Sequence, residues 1–346
     1  MIFFISTNNG SDMRINKEVS TLLSKYEVKF YGIGSKKQSL LPEHTKLELR
    51  FVSGDRRNIA TILKFVMLIY RDYFNCKRRP RIHLINETLV PLLYPLLLHS
   101  QSVLDLFDSY FLKKSKPGDK WFWIKKIVYS PFNKIIVTDE ARAKLMPSFL
   151  EPKCVIIGNY PRRVLGALGD KLTYADGLVV MFFGWLGMSR GGEHIQNFLN
   201  DSRVRVIACG WFSDENTERL VISHDRIDYR GVMSQEEALK IARKEADYIL
   251  CTYKPVNMNN IFASPNKIYD ALHIETPLII NAEILISNFV RDNQVGWVMP
   301  QYDCKLDSRA IDFLISNKGG YKFSENLKSK YSWENCEKTL LKIHEL

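Results

Sequence analysis

No apolar run in the sequence approaches the ~20 residues that a membrane-spanning helix needs. The longest, Leu89 to Leu98, is interrupted by two prolines, so a transmembrane segment is not expected. Met1-Ile2-Phe3-Phe4-Ile5-Ser6 has neither the basic flank nor the apolar length of a signal peptide. The six cysteines (Cys76, Cys154, Cys209, Cys251, Cys304, Cys336) are isolated, and no two fall at metal-ligand spacing. Cys154, Cys209 and Cys251 sit in or at the edge of apolar runs, where a thiol behaves as a small hydrophobe. A reducing compartment is the expectation. The seven histidines (His44, His83, His99, His194, His224, His273, His344) also lack metal spacing and read as surface or internally satisfied residues. There is no repeat of solenoid period, no low-complexity segment and no recognised nucleic-acid motif, so nucleic acid is not expected as a partner.

What is present describes a globular chain. Its 346 residues suggest about two domains, and 46% apolar against 25% charged residues allows a sizeable core in each. The net charge of +11 is uneven: 28 Lys and Arg stand against 14 Asp and Glu through Arg163, and the remainder is slightly acidic. A negatively charged partner of the first half is the physical expectation. Lys113 to Lys126 packs two Trp and six Lys into fourteen residues, a composition that suits the surface of an anionic bilayer. Lys64 to Arg81 is a second basic and aromatic stretch, better read as a solvated helix face with its aromatics in the core.

Short apolar runs alternate with helical patterns throughout. Strands are expected at Ile2–Ile5, Glu27–Tyr31, Leu47–Val52, Ile82–Ile85, Val103–Phe107, Lys134–Val137 and Cys154–Ile157. Helices are expected from Asp12, over Ile59–Phe74 and over Val90–His99. After a polar junction at Gly158–Gly177 a second series begins. It has strands at Leu178–Phe183, Arg205–Ala208, Ile227–Tyr229, Asp247–Leu250, Pro277–Ile280 and Gly296–Val298, with helices between and after them. The class is α/β. Two doubly wound domains are expected, 1–160 and 161–330, with a last helix, 331–346, returning to the first.

Three stretches of the second half carry chemistry. In Asn259 to Leu272, Ser264 is placed to cap a helix with Pro265 at its first position. Asn266, Lys267 and Asp270 follow, with Lys267 and Asp270 on one face near the positive end. That arrangement suits a phosphate and a sugar hydroxyl, although an ordinary capped surface helix fits the stretch alone equally well. Phe183-Gly184-Trp185-Leu186-Gly187-Met188-Ser189-Arg190-Gly191-Gly192 is a glycine-rich strand-to-helix turn with a guanidinium suited to a diphosphate. By itself it reads first as a structural turn. Tyr229-Arg230-Gly231-Val232-Met233-Ser234, with Glu237, forms a turn and a capping box that needs no function of its own but offers backbone groups to a nucleobase.

Taken in order, these segments resemble the donor half of a GT-B glycosyltransferase of the family-4 kind. The resemblance adds Asn159-Tyr160-Pro161, Thr276-Pro277-Leu278-Ile279 and Asn293 to Val298, and covers most of residues 154–300. The first half matches more loosely, through Gly10, Asp12, Arg14 and the region Asp105 to Asp108-Ser109-Tyr110. The resemblance implies a GT-B fold, two Rossmann-like domains facing across a cleft. It also implies sugar transfer from a nucleotide-sugar with retention and without a bound metal or other cofactor, the donor being a UDP-sugar before a GDP-sugar. By position, Arg190 and Lys267 would hold the diphosphate and act in catalysis with Asp108. Asp270 would take the ribose, and Arg230, Gly231 and Val232 would border the base. Gly184, Asn260, Ser264, Pro265 and Asn266 would complete the donor site, and Gly10, Asp12, Arg14 and Tyr110 the acceptor site. The implied acceptor is a lipid-linked glycan of a bacterial surface polysaccharide, and the implied location is cytoplasmic, peripheral on the inner face of the membrane. Three positions depart from the pattern: Phe262 stands where a carboxylate is usual, Trp185 where an Arg is usual, and Tyr110 where a His is usual. They motivate a second expectation, a non-catalytic subunit that binds a glycan or supports another transferase.

Overall fold

Ile2–Ile5 forms β1, with every side chain buried, as a four-residue apolar run between two sheet neighbours requires. The computed structural model describes residues 1–163, 171–172 and 177–345. Of the expected polar junction, residues 164–170 and 173–176 therefore lie outside the described residues. The chain divides into two units, Met1–Asn159 with Trp333–Leu346, and Tyr160–Ser332.

In unit 1, β1 is joined by β2 (Val28–Ile33), β3 (Leu47–Val52), β4 (Arg81–Ile85), β5 (Ser102–Asp105), β6 (Lys134–Val137) and β7 (Cys154–Ile156). The sheet is parallel, with order β3-β2-β1-β4-β5-β6-β7, and its direction of growth reverses at β1. Its helices are α1 (Met13–Leu23), α2 (Ile59–Phe74), α3 (Val90–Leu98), α4 (Tyr110–Lys113), α5 (Phe122–Tyr129) and α6 (Glu140–Ala143). Right-handed crossovers from β3 to β4, β4 to β5 and β5 to β6 set α2, α3 and α5 on one face and α1 on the other. Tyr70 Oη of α2 donates to Leu92 O of α3 at 3.0 Å. Tyr94 Oη of α3 lies 3.1 Å from Ser130 Oγ at the end of α5. The three helices are therefore neighbours in that order.

Unit 2 holds β8 (Leu178–Leu186), β9 (Val204–Phe212), β10 (Ile227–Tyr229), β11 (Tyr248–Leu250), β12 (Leu278–Asn281) and β13 (Gly296–Met299), in the order β10-β9-β8-β11-β12-β13. Its helices are α7 (Gly192–Phe198), α8 (Glu215–Ser223), α9 (Gln235–Glu245), α10 (Met258–Ile261), α11 (Asn266–His273), α12 (Ser287–Asp292), α13 (Ser308–Asn317) and α14 (Glu325–Lys330). Alternate residues of β8 fill two cores. Leu178, Val180 and Phe182 face α7 and α13, while Val179, Met181 and Phe183 face α9 and α11. Each such buried side chain contributes about 1.5–3 kcal/mol, which is why both faces of this strand are apolar. α15 (Trp333–Ile343) belongs to unit 1. Trp333 Nε1 donates to Thr21 Oγ1 of α1 at 3.0 Å.

Candidate functional site

In unit 2 the strand order reverses between β8 and β11, and ligands of doubly wound sheets bind at the carboxyl ends of strands at such a point. The chain leaves β8 through a short turn, Met188–Arg190, and enters α7 at Gly192. Gly191 has φ +124°, and a Cβ there would lie 2.9 Å from Leu250 Cδ2. Only glycine lets this loop rest against the sheet. Arg190 is exposed, and its guanidinium lies 5.3 Å from the Tyr253 ring centroid.

α11 starts one residue later than the sequence reading has it. Pro265 is the N-cap residue, with ψ 141° keeping it extended, and Asn266 is the first helical residue. Ser264 makes no capping bond; its Oγ and Asn266 Oδ1 are buried without a hydrogen-bond partner. Lys267 is half-buried, with Nζ 5.0 Å from the Phe183 ring centroid. Gly184 leaves room for it, since a Cβ there would sit 3.8 Å from Lys267 Cε. Burial pushes the Lys267 ammonium down; Arg190 acts in the same direction, while Cys251 and Asp270 oppose. Cys251, one residue beyond β11, feels both Lys267 and Arg190, and burial pushes its thiol up to about 11. Two cations and two unsatisfied polar atoms thus gather where β8, β11 and the start of α11 meet.

The other expected donor residues are more committed. Asp270 is buried, and its Oδ2 accepts from Gln235 Nε2 of α9 at 2.6 Å. Arg230 donates to both oxygens of Glu245, at 2.9 and 2.7 Å, and to Asp228 at 2.8 Å, so its guanidinium braces β10 against α9. Gly231 has φ +74°, its carbonyl accepts from Gly210 N at 2.9 Å, and Val232 is exposed beside it. Asn260 Nδ2 donates to Lys254 O at 2.7 Å, and Phe262 is the half-buried C-cap of α10. Trp185 pairs with Trp211 of β9, ring centroids 5.9 Å apart, and both are exposed. Alternation puts the pair on the face of Phe183 and Lys267. A groove of about 320 Å³ bounded by Trp297, Phe313 and Tyr321 shares no residue with this set.

In unit 1, Gly10 has φ +80° and is buried, and Asp12 caps α1 by accepting from Arg14 N at 2.8 Å. Arg14 does not face solvent as the motif reading expects. It is 2% exposed, salt-bridged to Asp105 at 3.0 Å and Glu18 at 2.9 Å, and donates to Ile157 O at 2.9 Å. α1 packs on the sheet, and the second position of its first turn points inward. Burial raises the carboxyls of Asp105 and Glu18. The same burial pushes His83 down to about 4. Glu18, His83 and Asp105 bring ligand atoms within 4.8 Å of one another, but Arg14 already supplies positive charge to both carboxylates. Asp108 and Tyr110 are exposed. Their loop is held from below: Asn86 Oδ1 accepts from Phe107 N and Asp108 N, and Glu87 accepts from Ser109 Oγ at 2.7 Å, Tyr110 N at 3.2 Å and Tyr129 Oη at 2.8 Å.

No protein-family model matches the chain, and no curated protein matches it. Solved structures do. Sucrose-phosphate synthase from Thermosynechococcus elongatus superposes with TM-score 0.74 at 14% identity, over 99% of this chain and 98% of that one. Anabaena HepE in complex with UDP and glucose gives 0.69 at 10% identity, over 99% of each. The lipopolysaccharide outer core galactosyltransferase WaaB gives 0.64 at 9%, over 99% and 98%.

The fold is GT-B. In this GT-B chain, sequence reasoning missed four supporting residues. Gln235 holds Asp270, Tyr253 lies under Arg190, Trp211 completes the pair with Trp185, and Glu87 carries the 107–110 loop. Only Glu87 left a trace, as a lone acid two residues after the apolar strand β4.

Proposed function

We propose that the chain is a retaining glycosyltransferase. It moves a sugar from a nucleotide-sugar, a UDP-sugar before a GDP-sugar, to a lipid-linked glycan in bacterial surface polysaccharide synthesis (capsule, O-antigen or exopolysaccharide). The observation that carries this reading is the convergence of Lys267, Arg190, Ser264 Oγ and Asn266 Oδ1 at the N-terminus of α11. A half-buried ammonium whose charge is disfavoured gains most from an incoming anion. The helix terminus adds partial positive charge, and a buried hydroxyl and amide oxygen without partners are costly unless a ligand satisfies them.

In the reaction, the bond from the anomeric carbon to the diphosphate oxygen breaks, and an acceptor oxygen takes its place with retention. The acceptor proton leaves to the released diphosphate. Arg190 and Lys267 stabilise the charge that grows on that leaving group, so neither a metal ion nor another cofactor is needed in this scheme. The ribose role of Asp270 rests on the resemblance and on the place of its carboxylate one turn into α11, and the catalytic role of Asp108 on the resemblance alone. In this reading 1–160 binds the acceptor and 161–330 the donor. The protein is cytoplasmic and peripheral on the membrane, with the stretch 113–126 toward anionic lipid. Trp121 and Trp123 are exposed there, as are most of its lysines. Lys116 is half-buried, and Lys125 is buried and donates to Lys116 O and Gly118 O at 2.5 Å.

Calorimetry with UDP, GDP and their sugars tests the donor site. Binding in the micromolar to millimolar range is expected, with Lys267→Ala weakening UDP about tenfold or more. Absence of heat with every nucleotide would overturn it. Phe262 and Tyr110, standing where the resemblance expects a carboxylate and a His, favour the second reading of a non-catalytic subunit. Turnover by the purified chain with an identified acceptor excludes that reading.

A further inference from the structure

The apolar surface of α2 is wider than the part of it that is buried. Phe65, Val66, Ile69 and Tyr73 are buried in unit 1. Ile59, Leu63, Met67 and Phe74 recur at intervals of four, four and seven residues. At ~100° per residue they fall within about 80° of arc that begins about 20° from Val66, so they extend the buried face outward. That stripe is open: Ile59 is 77% exposed and Phe74 74%. The reading of this stretch as a helix with its aromatics in the core holds for Phe65 and Tyr73 but not for Phe74. An ordinary surface helix buries its apolar stripe and keeps the rest polar, so this exposed extension calls for a partner.

The neighbouring helices continue the same surface. α3 exposes Leu92 and Leu98, and α5 exposes Trp123, at 72%, with Ile124 and Ile127. Basic residues surround these groups. Arg56 and Arg57 stand at the start of α2, Lys77, Arg78 and Arg79 just past its end, and Lys120 and Lys126 on either side of Trp123. Lys126 Nζ lies 5.3 Å from the Trp123 ring centroid. From residue 55 to 134 there are 15 Lys and Arg against 6 Asp and Glu. Of these acids, Asp72, Glu87 and Asp105 are buried.

We infer that the helical face formed by α2, α3 and α5 is a contact surface for an anionic lipid bilayer, with the outer stripe of α2 and the Trp123 edge of α5 entering the headgroup region together. Apolar side chains ringed by Lys and Arg, with aromatics at the border, are what such an interface selects. This rests on the peripheral-membrane part of the proposed function and extends it from one basic stretch to three helices. A single basic segment is a weak and easily screened anchor, whereas apolar groups on three adjacent helices also fix the orientation of the unit on the surface. A lipid-linked acceptor would then be met by a face already seated beside its carrier.

The test is co-sedimentation of the full chain with vesicles of phosphatidylglycerol and phosphatidylcholine in equal parts, against phosphatidylcholine alone. Two doublets are compared, Met67→Ser with Phe74→Ser in α2, and Trp123→Ser with Ile127→Ser in α5. Binding to the anionic vesicles only is expected, weakened about tenfold by either doublet, with unchanged Tm and unchanged UDP affinity. Should the α2 doublet bind like wild type while the α5 doublet does not, the three-helix face is wrong and the contact shrinks to 113–126. A wild-type chain that binds UDP but no vesicle removes the membrane contact and leaves the donor site standing. A wild-type dimer in light scattering that the α2 doublet abolishes, without vesicle binding, assigns the stripe to a second copy and overturns the lipid assignment.

Discussion

His83 and His344 meet in unit 1 with Nδ1 and Nε2 3.0 Å apart, so at neutral pH one ring donates and the other accepts. Phe4 stacks on His83 at 4.4 Å, and Glu18 and Asp105 approach its other nitrogen at 3.5 and 4.0 Å. Burial pushes His83 down to about 4, and His344 also lies well below its usual value. Between about pH 6.5 and 4 the unfolded chain binds a proton that the native ring refuses. Stability from this group is thus complete above 6.5 and is lost as the pH falls toward 4. At pH 5 the loss is on the order of 2 kcal/mol. The raised carboxyls of Glu18 and Asp105 act with the opposite sign, so the measurement has to be differential. Urea unfolding of wild type and His83→Gln at pH 7 and pH 5 should show the gap between them narrowing by about that amount. A constant gap would mean that the ring is not held neutral. Lys267, by contrast, was legible in the sequence because a Pro, a cationic side chain and helical periodicity coincide within a few residues. The burial of Arg14 was not, because a motif gives a residue type and a spacing, while its direction depends on Asp105, which is ninety-one residues away.

At the level of elements, β8 and β9 are longer than their apolar runs suggest. Gly184 and Gly210 look like strand ends in the sequence, yet they are register partners, and pairing continues to Trp185–Trp211 and Leu186–Phe212. The strands pass each other so closely that a Cβ on Gly210, at φ +134°, would lie 1.9 Å from the Gly184 carbonyl oxygen. Gly231, at φ +74°, has nothing within 4 Å of the same position. Gly231→Ala should therefore cost only the left-handed backbone strain, about 1–2 kcal/mol. Gly210→Ala should cost at least about 3 kcal/mol, since backbone must move. Denaturant midpoints decide it, and equal costs would show that the strand contact yields easily. Where one signal dominated, boundaries were readable: β1, β3, β6 and α2 coincide with their expected limits, because apolar periodicity ends at a polar or turn residue. α4, α5 and α10 were not expected as helices, since lysines and asparagines dilute their periodicity and tertiary contacts set their ends.

For the molecule as a whole, the fold class was legible because strand and helix patterns alternate without interruption, and that alternation admits few topologies. What the sequence left open was which surface the charge serves. Unit 1 carries 28 Lys and Arg against 17 Asp and Glu, while unit 2 carries 21 of each, so the whole +11 resides in unit 1. On the proposed function the two units would thus meet anions by different physics. In unit 1 the cations near the apolar stripes are exposed, and their attraction acts through water, where the screening length is about 10 Å at 0.1 M salt and about 3 Å at 1 M. In unit 2 Lys267 is half-buried against Phe183, so in the proposed donor site its interaction with a diphosphate would be short and partly desolvated. Raising NaCl from 50 to 500 mM should therefore weaken association with phosphatidylglycerol vesicles about tenfold or more, and UDP affinity by no more than about threefold. Sedimentation and calorimetry on one preparation measure both. Parallel loss of the two affinities would place the nucleotide among the exposed charges of unit 1 and remove Lys267 from its proposed role.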